Sequence, residues 1–127
     1  MRAVLDTHVF FWWMKQDPRL AAHHRALIDQ DQNEIFVSAV TGWEIAIKVK
    51  LGKWPEAAVL LPDLAAKIEA AGFELLPLTF PQAERAGSLD LAHRDPFDRM
   101  LAAQALELDL ILATIDPVFA VFGCRLS

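Results

Sequence analysis

Four short apolar runs dominate this chain: RAVL at 2–5, EIFVS at 34–38, FELLPL at 73–78 and LILAT at 110–114. They are continuous rather than alternating. A strand with one wet face alternates apolar and polar residues, whereas a strand covered on both faces does not. Helical patterns lie between them, at 8–15, 18–30, 39–51, 62–71, 80–89 and 95–108. Asp17-Pro18 and Asp95-Pro96 read as helix starts, an N-cap followed by proline at the first helical position, and Gly52 and Gly72 read as stops. A short strand near 124–126 is expected to close the chain. Strands alternating with helices predict an α/β fold with a parallel sheet covered on both faces. At 127 residues the chain is the size of one domain, residues 1–127.

Composition bounds the function classes. The chain is 54% hydrophobic, enough for a full core. Its longest uncharged apolar runs, such as VFFWWM and VFAVFGC, fall far short of the ~20 residues that a membrane span needs. Asp6 interrupts the first run before a signal-peptide core forms. A soluble, cytoplasmic protein with no membrane association is expected. Cys124 is the sole cysteine, so there is no internal disulfide and no thiolate zinc site. The net charge of −5 argues against broad, nonspecific nucleic-acid binding. It leaves room for a nuclease whose acids bind metal while local cations hold phosphate. Lys48, Lys50 and Lys53 cluster, and Arg94 and Arg99 flank an acid pair, although solvated helix faces explain the lysines as well.

In parallel sheets, ligands bind outside the carboxyl ends of the strands. Asp6 follows RAVL directly, Glu44 lies six residues beyond EIFVS, and Asp116 lies two beyond LILAT. Asp95 and Asp98 open the helix that feeds LILAT. Each acid has a structural explanation of its own. Asp95 is a good N-cap, Asp98 favours the helix dipole, Thr41-Gly-Trp-Glu44 matches a capping box, and Asp116-Pro117 suits a turn. Asp6 ends a buried strand and caps nothing obvious. The acids together resist those explanations. Carboxylates ~5 Å apart repel by roughly 3 kcal/mol per pair at an effective dielectric of 20. A divalent cation removes that repulsion, and hard oxygen ligands suit Mg²⁺ or Mn²⁺. No phosphate-binding glycine loop, dinucleotide fingerprint or nucleophile elbow is present. His8, His23, His24 and His93 lack zinc spacing. His23 and His24 are expected to diverge on a helix surface, and His93 reads as a loop residue or a phosphate contact.

LDTH at 5–8, SAVTGWEIAIKVKLGK at 38–53, HRDPFDRMLAAQAL at 93–106 and ATID at 113–116 resemble the PIN-domain family, specifically VapC-like ribonuclease toxins of toxin–antitoxin pairs. The resemblance covers nearly the whole chain, in order. It implies a three-layer α/β/α sandwich and a Mg²⁺-dependent endoribonuclease site. The family's four acids fall on Asp6, Glu44, Asp98 and Asp116, with Asp6 and Asp98 at the positions that hold the metal most directly. Thr114 matches a small hydroxyl residue beside the fourth acid. Asp95 belongs to a variant of the third block and reads first as the helix cap; Arg99 either pairs with an acid or holds RNA phosphate. An RNA substrate, a cognate antitoxin protein and a homodimer are implied as partners. VFFWWM, apolar all round its helix, and Trp54 are expected to supply part of an interface, with core packing the competing reading. Two other classes stay open. Phospho-acceptor receivers also carry acid-rich rims, but they need a late lysine, and none follows Lys67. A noncatalytic PIN-like RNA-binding or scaffold protein is the alternative.

Overall fold

The structure, a computed structural model, describes residues 1–90 and 95–127. Among them, four strands, β1 (Arg2–Leu5), β2 (Glu34–Ser38), β3 (Glu74–Leu76) and β4 (Ile111–Ala113), form a parallel sheet in the order β3-β2-β1-β4. The helices are α1 (Thr7–Met14), α2 (Ala22–Asp29), α3 (Ala39–Lys50), α4 (Leu64–Ala70), α5 (Phe80–Ser88), α6 (Pro96–Leu108) and α7 (Val118–Val121). The chain winds outward from β1 to β3, then returns to place β4 on the other flank of β1. The strand order therefore reverses between β1 and β4, the kind of crevice where open α/β sheets bind ligands.

The continuous apolar strands are buried on both faces. Ala3, Leu5, Ile35 and Val37 pack with Val9, Phe10 and Phe11 of α1 on one side. Val4, Phe36 and Leu112 pack with Leu101, Ala102 and Ala105 of α6 and Phe119 of α7 on the other. Successive residues of a strand point to opposite faces, so one run feeds both cores. The result is the expected three-layer α/β/α sandwich. No described helix is long and apolar enough to cross a membrane.

Several local expectations are corrected. Asp17-Pro18 opens a turn, not α2. The Asp17 carboxylate accepts from the Arg19 amide at 2.8 Å and pairs with its guanidinium, so the helix starts four residues later, at Ala22. The 62–71 helix shortens to 64–70, and the third and fourth strands shorten to 74–76 and 111–113. The closing strand reduces to one parallel bridge, Leu112 with Leu126. A 3-10 segment, Pro55–Leu60, and α7 carried no sequence signal. Gly52 adopts φ +71°, the left-handed conformation that lets the chain leave α3. Helix α5 is opened by a capping box, Thr79 with Gln82.

VFFWWM is core. Phe10, Phe11 and Trp12 are buried, and Trp13 and Met14 pack against the same cluster. Phe73 and Trp54 cover the sides of α1 that the sheet does not reach. Phe73 meets Phe10 and Trp13 edge-on, and Trp54 meets Phe11 at 4.9 Å. The apolar surplus thus gives no support for an interface. His24 is also buried, contrary to the surface reading. Its Nε2 lies 2.6 Å from the Ser127 main-chain oxygen, and its ring lies 4.1 Å from that of His23.

Candidate active site

The pairing of β1 with β4 sets the first half of the site. Leu5 stands opposite Ala113, and the Asp6 amide bonds the Ala113 carbonyl at 2.9 Å. Asp6 and Thr114 therefore leave the sheet side by side. Asp6 occupies the N-cap position of α1 but its carboxylate caps nothing there. Instead Oδ2 accepts from the Thr114 hydroxyl at 2.6 Å. The same hydroxyl oxygen accepts from the Asp116 amide at 3.0 Å, and Asp116 Oδ1 accepts from the Val118 amide. The turn reading of Asp116 is thus correct, and the turn also carries its carboxylate to the sheet edge.

The second half comes from the helices after β2 and before β4. Glu44 is buried in α3. It belongs to no capping box: Ser38 is the N-cap of α3, and the Thr41 and Glu44 side chains meet Thr7. The Thr7 hydroxyl donates to Glu44 Oε1 at 2.7 Å. Having spent its proton there, it accepts from Thr41 at 3.0 Å. Lys48, one turn on, pairs with Glu44 Oε2. Asp95 caps α6 through the Phe97 and Asp98 amides at 2.9 and 3.1 Å. Asp98 rides the first turn of that helix.

These elements bring Asp6, Glu44, Asp95, Asp98 and Asp116 to one cleft of ≈ 480 Å³, which His8, Trp12, Lys48, Ile115 and Pro117 also line. Arg99 is directed to the end of α5, where it donates to the carbonyls of Ala86 at 2.8 Å and Leu89 at 2.6 Å. It is not among the cleft-lining residues. His93 and Arg94 lie outside the described residues. The lysine cluster divides: Lys48 faces the cleft, whereas Lys50 and Lys53 are exposed.

Burial pushes the Asp6 carboxyl above its ordinary value, and the Glu44 charge adds to that shift; the Thr114 hydrogen bond and His8 oppose it. The donor set is entirely hard oxygen, which suits Mg²⁺ or Mn²⁺ and not a soft metal. Among the described residues, no three His, Cys, Asp or Glu side chains stand at metal-sharing distance. The acids share a cleft without meeting at a point, because Glu44 is drawn to Thr7 and Lys48 and Asp95 to its helix amides. The residues fit a divalent cation in the chemistry of their donors and in lining one cleft.

Sequence reasoning missed the grip on Glu44. The i,i+4 spacing of Glu44 and Lys48 was a readable signal for an ion pair. Thr7 and Thr41 carried none, being 34 residues apart. His8 and Trp12 were likewise not recognised as cleft residues.

Among solved structures, the chain is similar to VapBC2 from Rickettsia felis bound to a promoter DNA fragment, with TM-score 0.70, 16% identity and coverage of 100% of this chain and 98% of that one. It is similar to DNA-bound VapBC from Salmonella typhimurium, with TM-score 0.70, 21% identity and coverage of 100% and 97%. It is also similar to FitAcB from Neisseria gonorrhoeae, with TM-score 0.68, 22% identity and coverage of 99% and 96%. No curated protein matches it. The family model of the PIN domain matches residues 3–123. With a sheet, an acid-lined switch point and a family match that agree, the chain belongs to the PIN-domain family.

Proposed function

We propose that this chain is a Mg²⁺- or Mn²⁺-dependent endoribonuclease and the toxin half of a VapBC-type pair. One observation carries the enzymatic reading: five carboxylates from four segments of the chain line a single cleft at the sheet's switch point. Such convergence opposes stability unless a cation offsets it. Asp6 and Asp98 would hold the ion, with Glu44 and Asp116 completing the oxygen set or orienting water. When bound, such a cation supplies Lewis-acid polarisation and lowers the pKa of water.

Hydrolysis of a phosphodiester forms a bond from water oxygen to phosphorus and breaks the opposite P–O bond, whose oxygen leaves and takes a proton. Glu44 is the carboxylate best fixed to align that water, because Thr7 and Lys48 restrict its rotation. Asp116 is exposed and held by its own turn, suited to exchanging a proton with solvent. Thr114 keeps Asp6 aimed across the cleft. Lys48 is the one Lys or Arg among the described cleft-lining residues, and it offsets carboxylate charge or meets a phosphate.

The proposed partner is a VapB-like antitoxin protein, supported by the VapBC assemblies among the structural neighbours. Homodimerisation rests on the family resemblance alone, since VFFWWM is consumed in the core. The proposed setting is the cytoplasm. The direct test is cleavage of cellular RNA by purified protein with Mg²⁺, with Mn²⁺ and with EDTA, sequencing the ends produced. Cation-dependent cleavage at discrete sites is expected. RNA left intact under all three conditions favours the alternative, a noncatalytic PIN-like RNA-binding or scaffold protein.

A further inference from the structure

A chain of buried polar side chains ties α3, α6 and the start of α5 together. Ser38, Gln82 and Gln104 are all buried. The Ser38 Oγ accepts from the Val40 amide at 3.0 Å, which leaves its proton for the Gln104 Oε1, to which it donates. The Gln104 Nε2 donates to the Pro77 carbonyl at 3.2 Å and to the Gln82 Oε1 at 3.0 Å. Gln82 Oε1 also accepts from the Thr79 amide, inside the capping box that opens α5. One orientation of the Gln104 amide satisfies all of these partners. Turned over, it would set its oxygen against the Pro77 carbonyl.

A fully satisfied buried network rigidifies a core and specifies one arrangement of it. Its place in this fold gives that arrangement a use. Ser38 is the N-cap of α3, and Glu44 lies six residues further along. Gln104 lies six residues after Asp98 on α6. Trp43 of α3 also meets Phe97 of α6, at 4.8 Å. From Ser38 to Trp43 the chain ascends α3, while the partners descend α6 from Gln104 to Phe97. The two helices therefore run in opposite senses and are joined at two levels. Each acid stands about 9 Å along its helix from the Ser38–Gln104 joint, at 1.5 Å per residue. Both acids line the cleft. A slide or tilt of α6 on α3 changes the separation of Glu44 and Asp98 directly. Metal–ligand distances are held within about 0.2 Å, so even a small slide matters to a cation.

We propose that Gln104 is a positioning residue for the cation site: through Ser38 it fixes α6 against α3 and so sets the separation of Asp98 from Glu44. Gln104 is not a cleft-lining residue and acts only through the helices it joins. This rests on the metal-dependent nuclease reading and goes beyond it, because it gives a buried neutral side chain outside the cleft a share in the cation affinity. The Gln82 branch of the network holds α5 and does not join the two acid-bearing helices, so it serves stability alone.

The test is the dissociation constant for Mn²⁺ at neutral pH, measured by titration calorimetry without RNA, with melting curves to show that each variant is folded. Gln104→Met keeps the length of the side chain and removes its polar atoms. It is expected to melt lower than wild type and to bind Mn²⁺ about tenfold more weakly. Gln82→Met cuts the capping box and the other branch, so it should also melt lower, yet keep the wild-type affinity for Mn²⁺. Ser38→Ala breaks the joint from the α3 side and leaves the Gln104 donors paired. It should weaken Mn²⁺ binding to a similar extent, and the double variant Ser38→Ala/Gln104→Met should lose no more than either alone. If Gln104→Met does not fold, the comparison of Ser38→Ala with Gln82→Met decides in its place. Unchanged Mn²⁺ affinity in the folded joint variants, or an equal loss in Gln82→Met, overturns the positioning role and leaves the cation site standing. A wild-type protein that binds no Mn²⁺ overturns the cation site and the positioning role together.

Discussion

Thr114 donates a 2.6 Å hydrogen bond to Asp6 across the β1–β4 crevice, and its oxygen receives the Asp116 amide. One hydroxyl thus ties together two of the cleft's acids. The sheet register makes this unavoidable, since Leu5 and Ala113 are paired and the next residue of each strand must emerge beside the other. Thr114→Val keeps the shape but leaves the Asp116 amide without its partner. It should cost about 1–3 kcal/mol in urea unfolding, and Thr114→Ser should restore most of that. Equal stability of wild type and the valine variant would contradict the role given to this hydroxyl.

The two acids of α6 separate by role. Asparagine caps helices about as well as aspartate. Asp95→Asn should therefore keep both the cap and most RNA cleavage. Asp98→Asn should keep the fold and lower cleavage by about two orders of magnitude or more, the result of losing several kcal/mol of charge stabilisation. Turnover by Asp98→Asn at the wild-type rate removes Asp98 from the site.

Burial lowers the pKa of His24, outweighing the hydrogen bond to the Ser127 main-chain oxygen. The native ring stays neutral at a pH where the unfolded chain, near its reference value of about 6.5, already takes a proton. The unfolded state binds more protons in that window, so stability rises with pH there. The contribution is complete above about pH 6.5 and is lost as pH falls toward the folded pKa. His24→Gln should melt with a flatter pH dependence between pH 7 and 5 than wild type. Parallel curves for the two proteins would show that His24 does not titrate differently on folding.

Much of this was legible from residues alone, for identifiable reasons. RAVL, EIFVS and LILAT read as strands buried on both sides and alternating with helices, which implied a parallel sheet and directed attention to Asp6, Glu44 and Asp116. Asp95-Pro96 read as a helix start because a cap is a local device, satisfied within three residues. What stayed hidden was long-range. The burial of VFFWWM depends on Trp54 and Phe73, more than 40 residues away, and nothing in the run itself announces them. Arg99 was open between pairing with an acid and holding phosphate, yet it donates to carbonyls at the end of α5, whose approach to α6 is a tertiary fact. His24 sits on a short helix that is half polar, and a main-chain oxygen from Ser127 marks it as interior.

The central claim is that Asp6, Glu44, Asp98 and Asp116 share a divalent cation, and it is tested most directly by melting curves at pH 7 in EDTA and in Mn²⁺. A cation bound at the folded cleft stabilises by ~2.7 kcal/mol at a hundred times its dissociation constant, a rise in melting temperature on the order of 10 °C. Asp6→Asn keeps an acceptor for Thr114 while removing one charge from the crowded cleft. Metal-free, it should melt no lower than wild type, and it should lose most of the response to Mn²⁺. A cation that shifts neither protein, or shifts both equally, would mean that the acids do not form a common metal site.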